Sequence, residues 1–185
     1  MLLTSLDFTT SVWSGGTTTQ LYIYPPESSY AERDFHIRIS SATVEVAVST
    51  FTKLPNFQRV LMILFGELEI THQNRYSKLL KQYECDYFSG AWDTTAIGKV
   101  IDFNLMTAPG LKGELTHINL ANNESYSCPK KSNDLLKAIY LHQGELKTSQ
   151  HIIKANELFV IENLDEECSF EAIENSHIIE ISVTQ

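Results

Sequence analysis

Apolar residues along this chain recur mostly at every second position, the period of a β-strand with one buried face. Phe35, Ile37 and Ile39 alternate with His36, Arg38 and Ser40, after which Ala42, Val44, Val46 and Val48 carry the apolar phase on the other parity. A change of parity at Ser40-Ser41 predicts two strands, or one strand with a bulge there. Residues 60–70 form a continuous apolar run that becomes alternating after Gly66, the pattern of a strand buried on both faces at one end. Further strands are expected over residues 83–88, 100–106, 114–120, 138–148, 152–161 and 168–183, the last folded at Glu174-Asn175-Ser176. Helical periodicity is scarce: residues 76–83 and 134–138 are each expected to make a turn or two, and residues 122–133 an exposed loop. Many short strands between turn residues predict an all-β sandwich or barrel.

One pattern occurs twice. Residues 60–69 resemble residues 138–147 at an offset of 78, aligning Gly66-Glu67-Leu68 with Gly144-Glu145-Leu146. Residues 79–84 then match residues 152–157 at an offset of 73. Two matches in the same order suggest a duplicated β unit whose second copy has a loop five residues shorter. The alternative is chance similarity between strands.

Composition narrows the class. With 185 residues, 43% of them hydrophobic, the chain is expected to form one globular domain. Fourteen basic against 23 acidic residues leave a formal charge of −9, which argues against a nucleic-acid or anionic-membrane binder. Cys85, Cys128 and Cys168 show no C-x-x-C spacing, which fits a reducing compartment. The first dozen residues lack a basic, then apolar, leader pattern, and the longest apolar run, residues 60–65, is far short of a membrane span. The expected location is the cytoplasm.

Candidate chemistry is sparse. Trp13-Ser14-Gly15-Gly16-Thr17-Thr18 pairs glycines that permit close backbone approach with hydroxyls that can bind or merely close a turn. Arg38 and Ser40 share a strand face that either lines an interior or meets solvent. Arg59 shares parity with Leu61 and Ile63, so it belongs at the rim of a buried face and needs a counter-charge, an internal acid or an acidic ligand. Asp102, Asn104 and Met106 alternate with Ile101, Phe103 and Leu105, which suits a half-polar pocket or a solvent-facing strand. The six histidines have neither H-x-H nor H-x-x-x-H spacing, so no metal site is expected. No nucleophile elbow and no carboxylate pair stands out.

Taken in order, these segments resemble the HutD/Ves family. The carriers are Trp13-Ser14-Gly15-Gly16-Thr17-Thr18, Phe35-His36-Ile37-Arg38-Ile39-Ser40-Ser41-Ala42, and Phe51-Thr52-Lys53-Leu54-Pro55-Asn56-Phe57-Gln58-Arg59. Leu64-Phe65-Gly66, Phe88-Ser89-Gly90 and Asp102-Phe103-Asn104-Leu105-Met106 complete the set. Ser14, Gln20, Ile37, Asn56 and Ala91 depart from the family's usual residues, so the ligand is the least transferable part. The resemblance implies an all-β bicupin, two cupin-like antiparallel β-barrel halves of RmlC-like jelly-roll type. These would form a single domain over residues 1–185, with halves of approximately 1–110 and 111–185. It further implies metal-independent binding of a small anionic metabolite and a governing role in histidine utilisation or stress response. Trp13, Gly15, Gly16, Thr17, Thr18, Arg38, Ser40, Arg59, Asp102, Phe103, Asn104 and Met106 are the expected ligand-binding residues. No cofactor is expected, and a homodimer is compatible with this reading. Two alternatives stand beside it. One is a cofactor-free isomerase or hydrolase using His36 or Asp102 as acid or base; the other is a protein-interacting stress factor with no ligand.

Overall fold

The computed structural model describes residues 1–129, 133–162 and 167–185. Among these residues strands alone carry the regular structure. In chain order they begin β1 (Leu2–Leu3), β2 (Thr9–Trp13), β3 (Gly16–Tyr24), β4 (Ile37–Val44), β5 (Val48–Thr50), β6 (Gln58–Phe65), β7 (Leu68–His72) and β8 (Tyr76–Leu80). They continue with β9 (Cys85–Ser89), β10 (Thr94–Ile97), β11 (Val100–Thr107), β12 (Lys112–Leu120), β13 (Ser125–Cys128) and β14 (Asp134–Gln143). The last are β15 (Glu145–Lys147), β16 (Ile152–Lys154), β17 (Leu158–Val160), β18 (Cys168–Ala172) and β19 (Ser176–Thr184). Among the described residues no helix is long and apolar enough to cross a membrane.

The chain divides into two compact units, Thr9–Gly113 and Met1–Phe8 with Glu114–Gln185. In the Thr9–Gly113 unit a six-stranded sheet runs β2-β3-β4-β11-β6-β9 and a four-stranded sheet runs β5-β10-β7-β8. In the other unit the orders are β1-β17-β14-β19-β12 and β13-β18-β15-β16. Position by position, β4, β11, β6 and β9 correspond to β12, β19, β14 and β17, and β5, β10, β7 and β8 to β13, β18, β15 and β16.

The echoing segments follow the same path in detail. Gly66 (φ 87°) ends β6 and Gly144 (φ 96°) ends β14. A Cβ on Gly66 would stand 2.8 Å from the Lys99 carbonyl oxygen, so the turn needs both the left-handed backbone and the missing side chain. Tyr83 and Asn156, matched at the second offset, are both left-handed, at 65° and 68°. The Tyr83 N–H donates to the Ile63 carbonyl at 2.7 Å, as the Asn156 N–H does to that of Leu141 at 2.6 Å. The Lys81 and Lys154 N–H groups donate to the carboxylates of Glu84 and Glu157 at 2.9 and 2.8 Å. The apolar residues match as well: Leu61, Ile63, Leu68 and Leu80 in one cluster correspond to Ile139, Leu141, Leu146 and Ile153 in another.

Several expectations are corrected. Residues 76–83 form no helix: β8 pairs with β7 from Leu68↔Leu80 to His72↔Tyr76. The expected turn at residues 134–138 is the start of β14, whose residues Leu136 to Leu141 are all buried. A strand buried on both faces has no period-2 signal, which is how it passes for a helical turn. Residues 125–128 of the expected loop form β13, and residues 130–132 lie outside the described residues. Finally, β4 is one unbroken strand, paired residue for residue with β11; the irregularity lies across from it in β3, between Gln20 and Tyr22. The apparent parity change has another cause, since Ile37, Arg38, Ile39 and Ser40 are all buried.

Candidate functional site

The inner face of the six-stranded sheet floors a cavity of about 250 Å³. Even-numbered residues of β4 point into it, Arg38 and Ser40 at one end and Ala42 and Val44 at the other. On β11, which runs beside β4, Asp102, Asn104 and Met106 share that face. Met106 lies directly across from Arg38 on β4 and from Arg59 on β6, while Asn104 faces Ser40 and Leu61. Neighbouring strands are about 4.8 Å apart, so the two arginines stand two strand spacings from each other with a thioether between them.

The walls come from less regular segments. Thr18 of β3, Ser11 and Trp13 of β2, Tyr30, and the stretch Ser49, Thr50, Phe51 and Thr52 complete the lining. Gly15 shapes one wall without touching the cavity. A Cβ there would fall 2.0 Å from the Trp13 ring, so the indole packs against the bare backbone of the turn. Gly16 (φ 147°) passes so close to β4 that a Cβ would overlap the Thr43 carbonyl oxygen, 1.9 Å away.

The two guanidinium groups are held differently. Arg38 donates from Nε to Gln20 Oε1 at 2.8 Å and from Nη1 to Ser40 Oγ at 3.2 Å, with its Cζ 4.4 Å from the Tyr30 ring centroid. Arg59 is 7% exposed and packs against Phe51 and Phe88, at 4.8 and 5.3 Å from Cζ to the ring centroids. Its buried Nε has no hydrogen-bond partner among the described residues, and neither has the buried Asn104 Oδ1. No carboxylate forms an ion pair with either arginine among the described residues. Burial lowers the Arg59 pKa to about 10, with Tyr30 and Asp102 opposing and Arg38 adding to the effect. Burial lowers Arg38 as well, against Tyr30. Asp102 is pushed up to about 7 by burial, which outweighs the attraction of Arg59 and the Ala42 N–H. This cavity therefore holds two arginines without an ion-paired acid among the described residues, together with the Asp102 carboxyl, whose pKa burial has raised.

Of the residues expected from sequence, the cavity lining contains Trp13, Thr18, Arg38, Ser40, Arg59, Asp102, Asn104 and Met106. Gly15, Gly16, Thr17 and Phe103 do not line it. Phe103 is fully buried opposite Ser41 and Met62, because successive residues of β11 face opposite ways. Thr17 alternates away from Thr18 for the same reason, and the two glycines act through backbone. His36 is exposed, edge-on to Tyr24, and contributes nothing to the lining. Sequence reasoning missed Ser11, Tyr30, Ala42, Val44, Ser49, Thr50, Phe51 and Thr52. Phe51 and Thr52 lay within a recognised motif and were accessible; Tyr30 sits in an aperiodic Pro- and Ser-containing stretch that carries no signal.

Other polar clusters lie elsewhere. His72 is sealed in the Thr9–Gly113 unit between Thr94 Oγ1 and Asp86 Oδ2, both at 2.8 Å, with the Tyr76 hydroxyl donating to Asp86. In the other unit Lys137 Nζ lies 3.1 Å from Glu180 Oε1 and 3.8 Å from Asp134 Oδ2, and the Tyr126 hydroxyl also donates to Glu180. His117 Nε2 lies 2.9 Å from His177 Nδ1, so two histidines remote in sequence meet in space. Among the described residues no group of three or more His, Cys, Asp or Glu could hold a metal ion.

Comparison with known proteins agrees with this architecture. Over its full length the chain superposes on a conserved protein of unknown function from Pseudomonas aeruginosa, with a TM-score of 0.81, 18% identity and 98% of that chain covered. It also superposes on HutD from Pseudomonas fluorescens, with a TM-score of 0.75 and 16% identity, covering 100% of this chain and 98% of that one. In sequence it is 33% identical over 104 residues to Protein Ves of Escherichia fergusonii, a match covering 52% of each chain, about half the length of that relative. The HutD family model matches residues 5–179. With nearly its whole length matched and an all-β, cupin-like arrangement of antiparallel sheets, the chain belongs to the HutD/Ves family.

Proposed function

We propose that the cavity on the six-stranded sheet binds a small carboxylate metabolite without a metal or cofactor. The observation that carries this reading is Arg59, a buried cation whose Nε has no partner and which has no ion-paired acid among the described residues. A buried charge with no counter-charge is costly, and an anion from solution supplies the missing half. Arg59 is the anchor and Arg38, braced by Gln20 and Ser40, is the second cation. Asn104 and Thr18 orient the polar end of the ligand, and Trp13, Met106 and Phe51 cover its apolar part.

The same reading takes the two matched sets of sheets as the halves of a bicupin, with the arginine-lined cavity in one of them. Family membership extends it to a cytoplasmic governor of histidine utilisation or of a stress response, acting by sensing the metabolite. A thermal-shift screen of histidine-pathway acids against wild type and Arg59→Ala tests it. At least one acid should stabilise the wild type, and losing the buried partner should cost about 2–5 kcal/mol of binding. A wild type indifferent to every acid, or a variant with an equal response, refutes it.

One observation favours a second reading, cofactor-free acid–base catalysis: Asp102 lines the cavity with its pKa raised to about 7. Turnover of a carboxylate by purified protein, abolished in Asp102→Asn, distinguishes catalysis from simple binding.

A further inference from the structure

In each unit a buried cation stands at the same place in the repeat. Arg59 on β6 faces Met106 on β11; Lys137, at the offset of 78, lies on β14 and faces Ser182 on β19. Two residues along, Leu61 faces Asn104, and Ile139 faces Glu180. On the four-stranded sheets Ser49 faces Ala96, and Tyr126 faces Phe170. The repeat thus sets three positions in correspondence: the cation (59 and 137), a residue on the adjacent strand (104 and 180), and a hydroxyl (49 and 126).

In the second unit all three are joined. Glu180 is 8% exposed, pairs with Lys137 Nζ at 3.1 Å and accepts from the Tyr126 hydroxyl. In the first unit the acid is missing. Asn104 stands in its place, Oδ1 and Arg59 Nε are buried without partners, and Ser49 lines the same cavity. One copy of the fold has neutralised its cation internally, and in the other the matching positions line a cavity.

We propose that the ligand carboxylate takes beside Arg59 the seat that Glu180 takes beside Lys137, between Arg59, Asn104 and the Ser49 hydroxyl, so that residue 104 decides whether the cavity accepts an anion from outside. The proposal rests on the anion-binding reading and adds to it the position of the charge and two determinants, Asn104 and Ser49. Asn104 suits this role because, with its amide turned so that Nδ2 faces the seat, it donates to a carboxylate yet never competes for Arg59 as an anion. A carboxylate tethered at position 104 would compete at an effective concentration that free ligand rarely matches. Arg38 lies on the far side of Met106 with Nε and Nη1 already engaged, so it is left to meet a second oxygen acceptor of the ligand. The substrate class is therefore a short acid with two acceptor ends, the first of them a carboxylate.

Calorimetric titration of acetate and glutarate into wild type, Asn104→Gln, Asn104→Glu and Ser49→Ala tests the seat. Wild type should bind glutarate, and Asn104→Gln and Ser49→Ala should bind it more weakly. Asn104→Glu should lose more than about tenfold in affinity while keeping its β circular-dichroism spectrum. Asn104→Asp, nearly isosteric, gives the same reading if the longer acid prevents folding. Binding by wild type with equal binding by the acidic variants overturns the seat and leaves the anion receptor standing. A wild type silent to both acids overturns the receptor and the seat together.

Discussion

Arg38 and Arg59 are cross-strand neighbours of the same residue, Met106, one on each side of it. Two cations on one sheet face, both less than a tenth exposed and neither ion-paired among the described residues, raise the energy of the empty protein. Binding proteins commonly carry such a cost at the site they use.

Arg59→Met should therefore stabilise the ligand-free protein. An apolar side chain of similar length removes the uncompensated charge and keeps contact with Phe51 and Phe88, for a gain on the order of 1–4 kcal/mol. Urea unfolding without ligand measures it; the same variant should no longer respond to carboxylates. An unchanged or lower midpoint would mean that Arg59 is already neutralised.

Lys137→Met should do the opposite. Its removal strands the Glu180 carboxylate in a buried position with only the Tyr126 hydroxyl, which should cost about 3–5 kcal/mol. Comparing the two urea midpoints tests whether the equivalent cations differ as their surroundings require.

Asp102 should make stability fall as pH rises. Its folded pKa, about 7, lies above the ordinary carboxylate value, so between pH 4 and 7 the folded state holds more protons than the unfolded one. The stabilisation is complete below the unfolded pKa and is lost as pH climbs through that window, by on the order of a few kcal/mol at most. Asp102→Asn should flatten the profile. An anion seated beside Arg59 would favour protonated Asp102, so wild-type affinity should also drop above neutral pH.

Gly15→Ala should displace the Trp13 indole, since a Cβ there would sit 2.0 Å from the ring. In a Trp92→Phe background the single remaining indole reports the change as a shift in emission, and ligand affinity should weaken with it. An unaltered spectrum would show that the ring does not depend on the bare backbone for its pose.

Much of the architecture was legible along the chain. Period-2 patterning located most strands, Gly66 and Gly144 marked equivalent turns, and alternation put Asp102, Asn104 and Met106 on one face. The failures cluster where that signal vanishes. Residues 134–138 read as a helical turn because β14 becomes buried on both faces from Leu136 onward. The polar-to-apolar change at Ser40-Ser41 read as a break in β4, whereas it is a pocket face passing from Arg38 and Ser40 to Ala42 and Val44.

Local chemistry by itself determined where the backbone extends, where it turns, and which side chains share a face, because those depend on residues adjacent in sequence. Whether a face looks into a cavity, and whether a buried cation finds an acid, depends on strand register between distant segments. Lys137 meets Glu180 across such a register, whereas Arg59, at the matching place, faces Met106, and the position matching Glu180 is Asn104. Only folding makes that difference, because the electrostatic cost of a buried charge exists only once its surroundings have closed around it.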